Sequence, residues 1–247
     1  SPSLDSVGPL AHSVACCALL DAVLAGETPK PLRQPPLSGL RLALPRTLVF
    51  DGADAAVSAA FAAACSALSA AGVQVVEIDV PEFAELAHIN RQGGFTAAEA
   101  WAWHAPLVAR RGDGYDPRVV SRIRRGEGFT AAAYLELQAA RARWIAAVEQ
   151  RLADAHAAAF VLPTVPVVAP PIAALADSDE AYTAANLLML RNPTLINFLD
   201  GCALSLPVHA PDQAPVGLML AAPGGHDAAL LSLGAGVEAV LAPLRRD

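Results

Sequence analysis

The stretch LRLALPRTLVFDGADAAVSAAFAAACSALSAAGVQVVEIDV, residues 40–80, decides the fold. Its opening, residues 40–49, is apolar with few interruptions and ends on Val49, which reads as a short strand. Residues 51–71 are dense in alanine, the strongest helix former, and Gly72 closes them. Residues 73–80 then alternate, with Val73, Val75, Val76, Ile78 and Val80 apolar, which predicts a second strand. Strand, helix and strand at this spacing make a βαβ unit, the building block of an α/β sheet.

The same reading extends outward. Residues 11–24 carry apolar side chains at most helical positions and predict a buried helix ended by Gly26. Residues 28–36 hold four prolines and predict a surface crossover. Residues 82–110 read as one or two helices around Gly93-Gly94, and 111–117 as a Gly/Asp loop. Residues 118–125 and 130–153 are helical, with Gly126 and Gly128 between them. A buried strand, 158–168, ends in the cluster Pro163, Pro166, Pro170 and Pro171. A helix at 181–197, strands at 202–208 and 216–221, and a closing helix at 227–241 complete the chain. The expectation is one layered α/β domain, with no connector long enough to split it and no internal repeat.

Composition narrows the class. The 247 residues carry a net charge of −7, with 54% hydrophobic and 17% charged. A mean hydropathy of +0.40 at that charge excludes a disordered chain. The acidic balance argues against a nucleic-acid partner, which needs a basic stripe to neutralise phosphates. No uninterrupted apolar run reaches the roughly 18 residues of a membrane span, and residues 1–8 lack the basic start of a signal peptide. The expectation is a soluble, cytoplasmic protein. Lys30 is the only lysine, and the excess of arginine and alanine is what a GC-rich bacterial genome encodes. Cys16, Cys17, Cys65 and Cys202 show no C-x-x-C spacing, so they read as small core residues.

No self-contained catalytic constellation is present: no G-x-S-x-G elbow, no H-E-x-x-H and no Walker loop. The six histidines never fall at metal-ligand spacing, so no metal or cofactor is expected. His104 follows Trp101 and Trp103 and reads as a packing residue. Arg118, Arg122 and Arg125 recur at helical spacing on one face. That face reads either as a solvated charged surface or as an anion clamp, since guanidinium binds carboxylate bidentately.

Four ordered stretches carry a resemblance. Residues 3–14, Ser-Leu-Asp-Ser-Val-Gly-Pro-Leu-Ala-His-Ser-Val, resemble the S-x-D-[TS]-x-G-P segment of the amidase signature family and the helix after it. Residues 161–171 are similar to its L-P-T-x-P-x-x-A-P strand and loop. Arg191-Asn192, Asn197 and residues 203–207 resemble R-N-T-x-x-x-N followed by P-A-[IL]-S-[LV]-P. Residues 214–220, with Leu230, Leu231 and Glu238, resemble L-P-V-G-[LM]-Q-L and the terminal helix. Pro193 and Asp200-Gly201-Cys202 depart from the pattern.

The resemblance covers essentially the whole chain, 1–247, as the C-terminal part of a single amidase signature domain. It implies a mixed β-sheet covered by helices. It also implies an amidohydrolase that cleaves a linear C–N bond with a serine nucleophile, a second serine in cis peptide linkage and a lysine. In the family those residues precede the S-x-D-[TS]-x-G-P segment, and Lys30 lies downstream of it. The implied partner is therefore an N-terminal catalytic portion of the same protein. No catalytic residue is assigned here, and the chain alone is expected to be inactive.

Allophanate hydrolases of the family hold a substrate carboxylate with a tyrosine and an arginine eight positions apart. Tyr115 and Arg122 resemble that pair at a spacing of seven. With Arg191 and Asn197 they are the implied substrate-binding residues, for a small carboxylated, urea-like amide. A homodimer is a further implied assembly. Two alternatives stand beside this reading: a non-catalytic partner-binding subunit, and an amidotransferase A-type subunit.

Overall fold

Residues 40–80 fold as strand, helix and strand in the computed structural model, which describes residues 1–245. In chain order the elements are α1 (Val14–Leu24), β1 (Arg41–Pro45), α2 (Ala55–Ala70), β2 (Gln74–Ile78), α3 (Glu82–Ile89), α4 (Gly94–Arg111) and α5 (Pro117–Arg124). Then follow α6 (Ala131–Asp154), β3 (Ala159–Pro163), α7 (Ala173–Ala176), α8 (Asp179–Phe198), β4 (Cys202–Pro207), β5 (Gly217–Ala222) and α9 (Asp227–Leu241).

The chain divides into two compact units. A helical unit joins residues 1–7 to 81–147, and a sheet unit joins 8–80 to the chain from 148 onward. The physical reason lies in the segment 81–147. That segment is helical and holds no strand among the described residues, and it buries apolar residues of its own, among them Phe83, Phe95, Val108, Ile123 and Trp144.

The sheet unit holds one five-stranded mixed sheet in the order β2-β1-β3-β5-β4. β1 runs parallel to β2 and β3, whereas β5 is antiparallel to β3 and β4. β3 is buried at all five positions, as a central strand requires. It stops at Pro163, short of the expected end at 168, in a stretch where the Pro166 nitrogen has no hydrogen to give to a ladder. The helix α2 lays Val57, Phe61, Ala64 and Leu68 into the same core cluster as Leu42, Val161, Leu218 and Leu220. Leu230, Leu233, Val237 and Leu241 of α9 join that cluster. Residues 227–244 are long and apolar enough to cross a membrane by length and composition, but those core contacts make α9 a core helix.

Two expectations need correction. Only Val14 of α1 is buried, while Leu19, Leu20, Val23 and Leu24 are exposed. Apolar periodicity marks the face that seeks cover, not what covers it. Cys16 is exposed and the other three cysteines are half-buried, so none is a fully buried core residue.

Candidate functional site

The S-x-D segment lies in the helical unit, and Glu99 of α4 anchors it. The Ser1 hydroxyl donates to Glu99 Oε2 at 2.7 Å, and the Ser3 backbone N–H donates to the same oxygen at 3.0 Å. The Ser3 hydroxyl donates to Oε1, and so does the Tyr134 hydroxyl of α6, at 2.7 Å. Arg141 Nη1 donates to the Ser3 carbonyl at 2.8 Å, and its guanidinium lies over the Phe95 ring, 5.5 Å from the centroid. Burial pushes the Glu99 carboxyl up, but the hydrogen bonds from Ser3, Tyr134 and Ser1 to its charged form outweigh burial and bring it down to about 2. Tyr134 is pushed up, because the Glu99 carboxylate holds its proton.

A cleft of about 600 Å³ opens beside this knot, with Ser1, Asp5, Glu99, Trp103 and His104 on its walls. His104 is half-buried, and its Nδ1 lies 2.8 Å from the Tyr115 hydroxyl, the two rings meeting edge to face at 5.7 Å. A neutral imidazole accepting at Nδ1 takes the tyrosine proton, whereas one protonated at Nδ1 donates and leaves that proton for another acceptor. The pair therefore fixes the direction of the Tyr115 hydroxyl through the proton on His104. Glu99 gives the cleft an ionised side chain, which favours a neutral or cationic nitrogen-bearing group over an anion.

Tyr115 is half-buried and follows a short 3-10 turn at Gly112–Gly114. Asp116 then starts α5, its Oδ1 accepting from the N–H groups of Arg118 at 2.8 Å and Val119 at 3.3 Å, with Pro117 in the first turn. Arg122 is exposed, and its Nε donates to the Arg118 carbonyl one turn back at 3.1 Å. No carboxylate pairs with Arg122 among the described residues.

Arg191 and Asn197 lie in the sheet unit, on α8. Arg191 straps the loop that follows β1. Its Nη2 donates to the Val49 carbonyl at 2.9 Å, its Nη1 donates to the Asp51 carbonyl, and its Nε donates to Asn192 Oδ1 at 3.2 Å. Burial lowers the Arg191 pKa, against the pull of Asp51. Asn197 is half-buried in the last turn of α8, its carbonyl accepting from the Asp200 N–H at 3.2 Å.

The structure thus brings Tyr115 and Arg122 into one unit and Arg191 and Asn197 into the other. It adds residues that sequence reasoning passed over. Asn192 is fully buried, and its Nδ2 donates to the carbonyls of Val49 at 3.1 Å and Pro163 at 2.9 Å. It ties β3 to the loop after β1, and its signal was the Arg191-Asn192 pair itself. Asp54 caps α2 through the Val57 N–H at 2.7 Å and accepts from the Val168 N–H at 2.7 Å with its other oxygen. The Thr164 hydroxyl, just past the end of β3, meets the Ser205 hydroxyl of β4 at 2.6 Å. They fit because residue 217 is glycine: a Cβ there would stand 2.5 Å from one hydroxyl oxygen and 2.6 Å from the other.

These hydroxyls belong to the last residue of the L-P-T stretch and the first of the S-L-P stretch, and Glu99 anchors the S-x-D stretch. Residues 1–231 match the Amidase family. The chain belongs to the amidase family. Among its relatives is the 2-amino-5-chloromuconic acid deaminase of Comamonas testosteroni, 33% identical over 247 residues, an alignment covering 98% of this chain and 52% of the relative. The chain therefore spans about half the length of that relative. A crystal structure of an amidase shares the fold at TM-score 0.80 and 24% identity, over 98% of this chain and 54% of that one. The allophanate hydrolase of Kluyveromyces lactis superposes at TM-score 0.71 and 25% identity, over 88% of this chain and 34% of that one. As an amidase-family chain, this one carries its α/β mixed sheet and its motif residues in the expected order.

Proposed function

We propose that this chain is the substrate-pocket and sheet-completing part of an amidohydrolase that cleaves a linear C–N bond in a small carboxylated substrate. The Ser–cis-Ser–Lys machinery comes from an N-terminal portion of the same protein. The observation that carries this reading is the 33% identity to a deaminase of an amino-substituted acid across 98% of the chain, which covers only 52% of that relative. The nucleophilic serine attacks the carbonyl carbon as its proton passes through the second serine to the lysine; the C–N bond then breaks, the nitrogen leaves carrying that proton, and water hydrolyses the acyl-serine ester to the acid and free serine. Arg122, exposed and without a carboxylate partner among the described residues, pairs with the substrate carboxylate. The Tyr115 hydroxyl, aimed by His104, gives the second contact. The ionised Glu99 carboxylate keeps the adjacent cleft suited to the nitrogen end of the substrate.

Two measurements test this. The intact mass of the protein isolated from its source, taken under denaturing conditions, is expected well above 25.4 kDa. The 247-residue chain alone is expected to release no ammonia from linear carboxylated amides, and turnover by it would refute the division of labour. In the complete protein, Arg122→Ala is expected to raise KM roughly tenfold or more with kcat little changed, since it removes a charge-assisted contact of about 1.5–3 kcal/mol. An unchanged KM would remove Arg122 from the pocket.

A further inference from the structure

One face of α6, which forms a wall of a cleft opposite Glu85 and His88 of α3 and Arg91 just past it, has a pattern that the proposed chemistry does not use. Ala132, Ala139 and Ala146 are exposed, and each is followed by a half-buried alanine, Ala133, Ala140 and Ala147. These pairs recur every seven residues, the period that keeps one face of a helix turned to a partner helix in a left-handed crossing. Two charges interrupt them, Glu136 and Arg143, both exposed. Every position three or four residues from either charge is alanine, so neither has an intrahelical partner. Neither takes part in an ion pair among the described residues.

The pattern is symmetric. About the midpoint between Ala139 and Ala140, Glu136 mirrors Arg143, Ala133 mirrors Ala146 and Ala132 mirrors Ala147. In an antiparallel pair of identical helices related by a two-fold axis, mirrored positions stand at the same level. An axis at that midpoint sets each alanine against an alanine and each charge against its opposite. Glu136 and Arg143 lie about 10.5 Å apart along the axis, two helical turns, so the two cross-helix contacts form independently. Alanine against alanine permits an interaxial distance near the short end of the range, about 8 Å. A second feature lies along the same face. The cleft, of about 610 Å³ between α3 and α6, has Ala133, Glu136, Ala140, Arg143 and Ala147 on its α6 wall and Leu137 and Trp144 deeper in.

We propose that this face is an isologous docking surface, on which a second copy of the chain packs its own α6 antiparallel, with Glu136 against the partner's Arg143 and Arg143 against the partner's Glu136. Charge complementarity selects a second copy. A face built to meet an unrelated partner has no reason to be its own mirror image, whereas a two-fold interface must be self-complementary. The inference does not depend on the amidohydrolase reading.

Sedimentation velocity of the intact chain at micromolar concentration tests it. Leu19→Gln and Val23→Gln are carried throughout, so that the apolar face of α1 contributes no association of its own. The chain is expected to sediment as a dimer. Glu136→Arg and Arg143→Glu, each at an exposed position, are each expected to weaken the dimer at least about tenfold, because each makes two like-charge contacts. An equimolar mixture of these two variants restores opposite charges at both contacts and is expected to recover the dimer. The double variant E136R/R143E is expected to recover it alone. A monomeric chain, single variants that dimerise undiminished, or recovery by neither the mixture nor the double variant would each overturn the proposal. The first outcome would leave this face for the remainder of the protein to cover.

Discussion

Glu99 holds together a chain segment that has no regular structure of its own. Its carboxylate accepts from two serine hydroxyls, one backbone N–H and the Tyr134 hydroxyl, and each of these bonds favours the ionised form. Its pKa is about 2 in the fold against 4.5 for the free group, so the folded state binds its proton less readily than the unfolded state. The stabilisation is then fully present above pH 4.5 and is lost as pH falls through about 2. The expected result is a urea unfolding midpoint that declines across that window in the native protein and declines less in Glu99→Gln, the two curves converging near pH 2. Parallel curves would show that Glu99 is not the group being titrated. This knot was illegible in the sequence. Ser3 and Glu99 are separated by 96 positions, and nothing in the local pattern of α4 sets Glu99 apart from any surface carboxylate. Asn192 differs in that its neighbour Arg191 belongs to a motif stretch. Its burial still could not be read, because the carbonyls it binds come from Val49 and Pro163.

At the scale of elements, local periodicity read well what chemistry along one segment decides. The βαβ unit at residues 40–80 formed because alanine density and two-residue alternation meet at Gly72. Strand order did not read, because β5 enters between β3 and β4 through pairings that no single segment encodes. Helix contact in the helical unit depends on a similar hidden constraint. Gly126 follows α5 where that helix meets α4, and a Cβ there would stand 2.1 Å from the Ala97 carbonyl oxygen and 2.7 Å from the Trp101 Cβ. One contact is to backbone, so a rotamer change cannot relieve it and α4 and α5 must separate. Gly126→Ala is therefore expected to destabilise the protein by about 1–3 kcal/mol, the range of overpacking. The measurement is the urea midpoint with α4 amide protection followed by hydrogen exchange. A midpoint at or above the native value would show that α4 and α5 are not in this contact.

For the whole molecule, the informative feature is the apolar surface that the sheet unit leaves open. Natural edge strands are guarded by charge, proline or bulges. The edge strand β4, Cys202-Ala203-Leu204-Ser205-Leu206-Pro207, carries no charged residue, and only its last position is proline. On α1, Leu19, Val23 and Leu24 are 52%, 63% and 59% exposed, although the helix is well capped by Ser13 and tied to α9 through the Val14 N–H and Glu238. Core residues would not tolerate such exposure, and a solvent-facing helix would not select three large aliphatic side chains there. Together with a relative of which the chain spans 52%, these faces are where the N-terminal portion proposed above would pack. Leu19→Gln with Val23→Gln is the discriminating variant. In the isolated chain it is expected to leave unfolding free energy within roughly 0.5 kcal/mol of the native value, because exposed positions contribute little to the fold. It should also suppress concentration-dependent light scattering, since the side chains removed are those that seek a partner. In the complete protein the same pair is expected to destabilise by about 2 kcal/mol or more, the range for losing buried aliphatic groups. A variant neutral in both contexts would mean that α1 faces water in the complete protein, and the docking site would then have to be sought at β4 alone.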